Sequence, residues 1–153
     1  MICDLLILTS KSAGFLLRGA GALALSFGVA GTAAAAMVLI GHASLPKSID
    51  DATVQKIYTG KIIEIGGVGV VPVNASVGSP LRARFLQIYL NQDEEKFVAY
   101  WTVRRYIGKG VPPKELSSGA EIANFVQSVP GAIGYIEESE LRPGSGVNVL
   151  SRK

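Results

Sequence analysis

The sequence has almost no cysteine or histidine, and this excludes several classes of site. Cys3 is the only cysteine and His42 is the only histidine among 153 residues. A disulfide framework needs paired cysteines, and a structural or catalytic zinc site normally needs several Cys or His ligands. No pattern of nucleophile and base stands out either. We therefore predict a protein that is not an enzyme and that holds no metal and no cofactor.

Charged residues are absent from a long stretch near the amino terminus. Residues 19–41 contain no Asp, Glu, Lys or Arg, they follow Lys11 and Arg18, and four alanines occupy 33–36. A positive flank, an apolar run and a small-residue end are typical of a secretory signal peptide. The sequence predicts removal of residues 1–36 and an exported, periplasmic or cell-envelope location in a bacterium. An uncleaved membrane anchor is the alternative, because about 20 apolar residues can span a bilayer.

The remaining residues, 37–153, carry no concentrated block of one charge. They contain 13 basic and 11 acidic residues, although the pI of the whole sequence is 9.1. Nucleic-acid-binding domains usually cluster their basic residues on one stretch or face. We expect no nucleic-acid partner, and contact with a membrane only through the amino-terminal segment.

Apolar spacing in 37–153 indicates alternating strands and helices. Met37–Gly41 and 132–136 have the β-rich, apolar character of buried strands, and the first of them is expected inside the sheet. Between them, four segments combine capping residues with helical apolar spacing. This order predicts one α/β domain with a mixed or mostly parallel sheet flanked by helices. The predicted core includes Phe85, Phe97, Trp101, Phe125 and Ile133.

Three segments of this domain resemble a known family. "ATVQKIYTGKI" at 52–62, "VVPVNASVGSPLRARFLQIYL" at 70–90 and "IANFVQSVPGAIGYIEES" at 122–139 are similar, in that order, to the second lobe of phosphate-binding proteins of bacterial ABC importers. Those are type II periplasmic solute-binding proteins. The resemblance implies a short, single-lobe member of this superfamily, and phosphate or another small oxyanion as its ligand.

The resemblance also implies a place for that ligand. In the family, a Gly-Ser-Gly-Thr turn opens a helix whose backbone N–H groups hold phosphate, and an arginine stands four residues before the serine. By position the turn falls on Gly78, Ser79, Pro80 and Leu81, and the arginine falls on Ala75. Glycine and serine match the turn, whereas the threonine and the arginine are replaced and Pro80 lacks an N–H donor.

The stretch "GSPLRARF" at 78–85 allows two interpretations on physical grounds. Ser79 is a preferred N-cap and Pro80 is favoured at the first helical position, so the stretch is explained as a helix start alone. The same free N–H groups attract an anion, and Arg82 in the first turn could pair with it. The candidate anion site therefore comprises Gly78, Ser79, Leu81 and Arg82.

His42 and Ser44 complete this candidate site. They follow the first predicted strand, and ligands of open α/β sheets gather beyond the carboxyl ends of strands. We expect both side chains to face the same cleft as Ser79.

Two functions remain open from the sequence. The first is a non-catalytic solute-binding protein that binds phosphate or another small oxyanion weakly. The second is an envelope interaction or assembly module that keeps the lobe as a scaffold, with a protein partner or a second copy of the chain on the face left by the missing lobe.

Overall fold

The computed structural model describes residues 35–153. Five strands form one mixed sheet in the order β5-β4-β6-β1-β7, and β2 and β3 form a separate hairpin. The strands are β1 Met37–His42, β2 Glu64–Ile65, β3 Val68–Gly69, β4 Val71–Ala75, β5 Lys114–Leu116, β6 Ala132–Glu137 and β7 Val147–Arg152. The helices are α1 Asp51–Tyr58, α2 Pro80–Phe85, α3 Glu94–Tyr106 and α4 Gly119–Ser128, and a π-helical turn at Leu86–Leu90 extends α2. The predicted α/β class is confirmed.

Strand β1 lies inside the sheet, as its apolar sequence predicts. It pairs antiparallel with β6 on one side and with β7 on the other. Met37, Val38, Leu39 and Ile40 are all buried, so both faces of the strand are covered. The predicted signal segment, residues 1–36, lies outside the described residues except for Ala35 and Ala36, and its removal stays a prediction.

Helices cover both faces of the sheet. Neighbouring residues of a strand point to opposite faces, and Gly134 and Tyr135 of β6 show which helices lie on each. A Cβ atom at Gly134 would come within 2.6 Å of Ile122 Cγ2 in α4. The ring of Tyr135 instead stacks on Phe85 of α2, with centroids 3.9 Å apart. Because Gly134 has no side chain, α4 packs closely against the sheet.

A side chain caps the beginning of every helix α1 to α4. Asp50, Ser79, Asp93 and Ser118 each accept a hydrogen bond from the backbone N–H three residues later, at 2.6, 3.5, 2.8 and 3.1 Å. Such caps satisfy N–H groups that have no partner within the helix. The helix starts were therefore predictable from these residue types. None of the helices within residues 35–153 is long and apolar enough to cross a membrane.

The core contains four of the five predicted residues. Phe85, Phe97, Trp101 and Ile133 are buried, whereas Phe125 is only partly buried and packs against the edge of the core. Phe125 lies on the flank of α4, where the ammonium group of Lys114 is 5.2 Å from its ring centroid. Ile122 and Val126 of the same helix are fully buried instead. The prediction that Phe125 belongs to the core was therefore wrong, because α4 turns its Ile122 and Val126 side toward the sheet and leaves Phe125 at the flank.

Candidate functional site

The carboxyl ends of three parallel strands meet at one edge of the sheet, which we call the carboxyl edge. Strands β4, β5 and β6 end there at Ala75, Leu116 and Glu137, because β4 pairs parallel with both of the others. The chain leaves β4 to begin α2 and leaves β5 to begin α4. A cavity of about 260 Å³ lies between these two helix starts. This is the place where open α/β sheets usually bind ligands.

Serine side chains and backbone line much of this cavity. Ser76 and Ser79 come from the α2 side, and Ser117, Ser118 and Gly119 come from the α4 side. Ser79 and Ser118 are the N-caps of the two helices, so each keeps its hydroxyl oxygen turned toward its own first turn. The positive ends of two helix dipoles therefore border one cavity, and this favours a negative charge inside it.

Only some of the predicted turn residues at 78–81 line this cavity. Ser79 and Leu81 line it, and Leu81 is buried. Gly78 is exposed with φ +82°, and it is not among the lining residues. Gly78 serves to turn the chain toward Ser79, because a positive φ suits glycine.

Arg82 turns away from the anion that it was expected to bind. Its side chain is 2% exposed, and its guanidinium donates to both carboxylate oxygens of Glu94, at 2.8 and 2.7 Å. Nη1 donates to Glu115 Oε1 at 2.8 Å and to the carbonyl oxygen of Ala75 at 2.9 Å. These bonds engage four of its five N–H donors. The prediction that Arg82 supplies a donor to a bound anion is corrected: the residue joins α2 to α3 and β5.

The electrostatics of Arg82 agree with this structural role. Burial alone lowers the pKa of Arg82, but the hydrogen bonds and charges of Glu115 and Glu94 outweigh burial and raise the pKa. Both carboxylates remain partly exposed. Solvent can therefore reach the two acids, whereas the buried guanidinium depends on them and on the carbonyl oxygen of Ala75 for its hydrogen bonds.

His42 and Ser44 lie at the opposite edge of the sheet from Ser79. The expectation that they share a cleft with Ser79 assumed parallel strands, but β1 runs antiparallel to β6. The carboxyl end of β1 therefore lies beside Gly131, at the amino end of β6. His42 Nδ1 lies 2.8 Å from Ser44 Oγ, and that oxygen accepts a hydrogen bond from the Gly131 N–H at 3.1 Å. Both residues stabilise the loop after β1, and they do not belong to the candidate site.

Two carboxylates at the cavity were missed by the sequence analysis. Glu137 forms a bidentate ion pair with Arg84, with Nη2 at 2.9 and 2.8 Å from its oxygens. Glu140 accepts a hydrogen bond from the Glu137 N–H at 3.1 Å, and its carboxylate lies directly against Gly119, the first residue of α4. Glu140 thus places the chain's own negative charge where the α4 dipole favours one.

The hydroxyl of Tyr135 supports the backbone beneath the cavity. It accepts a hydrogen bond from the Ala75 N–H at 3.1 Å and lies 3.2 Å from Asn74 Oδ1, to which it can donate. Burial raises the pKa of Tyr135 well above its ordinary value, so the hydroxyl stays neutral. Within residues 35–153, no group of three His, Cys, Asp or Glu side chains is placed to hold a metal ion.

Three solved structures are similar to this fold, and one of them contains bound phosphate. The described fold is similar to a protein of Clostridium perfringens assigned as a phosphate ABC transporter substrate-binding protein and solved with bound phosphate, with 25% identity and a TM-score of 0.60. It is also similar to PstS of Borrelia burgdorferi, with 18% identity and a TM-score of 0.59. The domain resembles one lobe of a phosphate-binding protein.

These similarities are confined to part of each structure. An ABC-type phosphate transport receptor of Vibrio cholerae matches at 14% identity with a TM-score of 0.52. Each match covers 76% of this chain, and the chain spans 45% to 47% of the length of the three solved proteins. No protein-family model matches the chain, and no curated protein matches it. The resemblance is thus to a part of these proteins and concerns the fold.

Proposed function

We propose that this domain is a non-catalytic solute-binding lobe that binds phosphate or another small oxyanion at the carboxyl edge. The observation that carries the proposal is the convergence of two serine-capped helix starts on one cavity. Backbone N–H groups and the positive ends of helices attract oxyanions without any cationic side chain. The likeness to a substrate-binding protein solved with phosphate supports the choice of ligand.

Binding by this lobe alone is expected to be weak. Arg82 and Arg84, the two arginines of α2, are engaged by carboxylates, so neither offers a free guanidinium to the ligand. Glu140 already occupies the start of α4, and an entering anion must displace it or accept its repulsion. We expect a dissociation constant near millimolar, equivalent to about −4 kcal/mol.

Substitution of Glu140 tests this proposal. The full chain is titrated with inorganic phosphate, and backbone amide shifts of Ser118, Gly119 and Ala120 are followed by NMR. Glu140→Gln should strengthen phosphate binding by about fivefold to tenfold, since it removes one like charge from the cavity. Glu138→Gln is the matched control, because Glu138 is exposed in the same turn, pairs with Arg152 and does not line the cavity.

A second candidate function follows from the position of Glu140. A carboxylate of the chain itself at the start of α4 can serve as a permanent substitute for an external anion. In that case the lobe is a scaffold for envelope interaction or assembly, with a protein partner or a second copy on its carboxyl edge. Val77, exposed in the loop before α2, offers apolar surface to such a partner. Absence of any phosphate-dependent shift in Glu140→Gln would favour this second function over the first.

Export of the chain remains part of the proposed function. We propose that residues 1–36 direct the chain to the cell envelope and are removed there. Mass spectrometry of the protein from its native envelope tests this directly. A chain that retains Lys11 would contradict removal and would favour the membrane-anchor alternative.

A further inference from the structure

The amino edge of the sheet, where β4 and β5 begin, carries exposed apolar side chains among basic ones. Val71 begins β4 and Lys114 begins β5. The end of α3 is held at this edge, because Arg104 Nη2 donates to the carbonyl oxygens of Gly60 and Lys109, at 3.2 and 2.9 Å. The loop after α3 and the loop after α1 therefore lie side by side.

Three apolar side chains project from these elements. Tyr106 is 92% exposed, Ile63 is 75% exposed and Val111 is 70% exposed. Ile63 and Val111 line a groove of about 380 Å³ together with Lys109 and Lys114, and no Asp or Glu of residues 35–153 lines it. We define the basic–apolar patch as six exposed residues. Ile63, Val111, Lys109 and Lys114 line this groove, Arg105 lines an adjoining cavity that shares Trp101 and Pro112 with it, and Tyr106 follows Arg105 at the end of α3. Exposed apolar groups in such a cluster usually mark an interaction surface.

The charge of this patch is positive. Residues 96–114 contain five Lys or Arg residues and no Asp or Glu. Among the ion pairs of the described chain, none involves Arg105, Lys109 or Lys114. Two carboxylates are close in sequence. Glu115 lines the cavity that Arg105 also lines and is paired with Arg82, and Glu64 does not line the groove. A partner of this patch must therefore offer negative charge together with apolar surface.

We propose that the basic–apolar patch docks on an anionic lipid bilayer. The headgroup layer supplies both requirements at once, since tyrosine and aliphatic side chains enter the interface while lysine and arginine stay at the level of the phosphates. Each basic residue near an anionic bilayer strengthens binding by about fivefold. This contact is additional to any contact made by the amino-terminal segment, and it revises our expectation that only that segment meets a membrane. It does not depend on the proposed solute binding.

The position of the patch leaves the candidate anion cavity free. Parallel strands β4 and β5 begin at the patch and end at the cavity, so the two sites lie at opposite edges of the sheet. A domain docked through its amino edge keeps its carboxyl edge toward solvent. Membrane docking and solute binding can therefore take place at the same time.

Vesicle binding of the full chain tests the proposal. Vesicles of phosphatidylcholine alone are compared with vesicles that also contain phosphatidylglycerol, and a brominated phosphatidylcholine is included as a quencher. Trp101 is the only tryptophan of the sequence and lines the groove, so quenching of its fluorescence reports on the patch and not on the amino-terminal segment. We expect binding to anionic vesicles with quenching of Trp101.

Two variants that remove the same number of positive charges distinguish the effect of the patch from the effect of net charge. The patch variant carries Arg105→Gln, Lys109→Gln and Lys114→Gln, and the control variant carries Lys47→Gln, Lys96→Gln and Arg142→Gln. The patch variant should lose at least about tenfold in affinity for anionic vesicles, and the control variant should lose less than about threefold. A third variant, Tyr106→Ser with Val111→Ser, removes apolar contacts that salt does not screen. It should therefore weaken vesicle binding at high salt as well as at low salt. Circular dichroism confirms that each variant is folded.

Several results would overturn the proposal. Equal losses in the patch and control variants would mean that net charge alone attracts the chain. Binding without quenching of Trp101 would mean that the amino-terminal segment binds by itself. If the patch variant changes the sedimentation coefficient but not vesicle binding, the occupant of the patch is a second copy of the chain. Absence of binding to anionic vesicles would leave an acidic protein as the partner.

Discussion

The guanidinium of Arg82 and the carboxylate of Glu94 form a bidentate ion pair that joins the start of α2 to the start of α3. The two N···O distances are 2.8 and 2.7 Å, and the arginine is the more buried partner. This pair explains why an arginine lies in the first turn of a helix, where the dipole disfavours a cation. The charge is neutralised within the protein, and no external anion is required.

Loss of Glu94 should destabilise the protein strongly. Glu94→Ala leaves the buried guanidinium with one carboxylate, and removal of one partner from a buried pair costs about 3 kcal/mol or more. Glu95→Ala is the matched control, since Glu95 is an exposed acid in the same first turn. It should cost at most about 0.5 kcal/mol. Urea unfolding of both variants measures the difference, and equal costs would contradict the role assigned to the pair.

Truncation of Phe85 and truncation of Phe125, which lie on opposite faces of the sheet, should lower the stability by different amounts. Phe85 is fully buried and stacks on Tyr135, so Phe85→Ala should cost about 3–5 kcal/mol. Phe125 is partly buried at the flank of α4, and Phe125→Ala should cost about 1 kcal/mol. Thermal or urea unfolding measures both. A larger loss for Phe125 would place it in the core after all.

The stability of the start of α3 should depend on pH through Asp93. Its pKa lies below the ordinary value of 3.8, chiefly because its carboxylate accepts the Lys96 N–H. A lowered pKa contributes stability above pH 3.8 that is lost as pH falls through the folded-state value. Asp93→Asn keeps a good N-cap without the charge. The difference in unfolding midpoint between wild type and variant should be largest at neutral pH and should vanish in strong acid.

Gly131 should tolerate no side chain. It has φ +76°, and a Cβ atom there would collide with the carbonyl oxygen of Gly69. Gly144 has nearly the same φ, +75°, and no atom of the described residues lies within 4 Å of its Cβ position, so Gly144→Ala measures the backbone strain alone. We expect Gly131→Ala to be less stable than Gly144→Ala by about 1–3 kcal/mol. Similar unfolding free energies for both variants would show that the hairpin at Gly69 moves aside.

Local features of this protein were predictable from sequence because their causes are local. Ser79 caps α2 and Ser118 caps α4 by hydrogen bonds that reach only three residues along the chain. Strand β1 was predictable because an uninterrupted apolar run suits a strand that is buried on both faces. Residue type and short-range spacing contain all the information that such elements need.

Which residues form the site depended on tertiary structure. The wrong predictions for His42 and Arg82 both result from how the chain pairs over long distances. His42 follows a strand, as expected, but β1 runs antiparallel to β6 and carries His42 to the edge opposite Ser79. Strand direction results from long-range pairing, which a single sequence does not encode in any short pattern. Arg82 was assigned to an anion for a similar reason, since its partners Glu94 and Glu115 lie 12 and 33 residues away.

The sequence by itself thus determined the fold class, the helix starts, the buried first strand and the resemblance to a phosphate-binding lobe. Only the tertiary structure decided which charges meet. Arg82 meets two glutamates, Glu140 meets the start of α4, and the cations of the basic–apolar patch form no ion pair within the described part of the chain. The physical reason is the distance along the chain over which each interaction acts. Capping and apolar periodicity act within a few residues, whereas the field at a site is the sum over charges that the fold alone brings together.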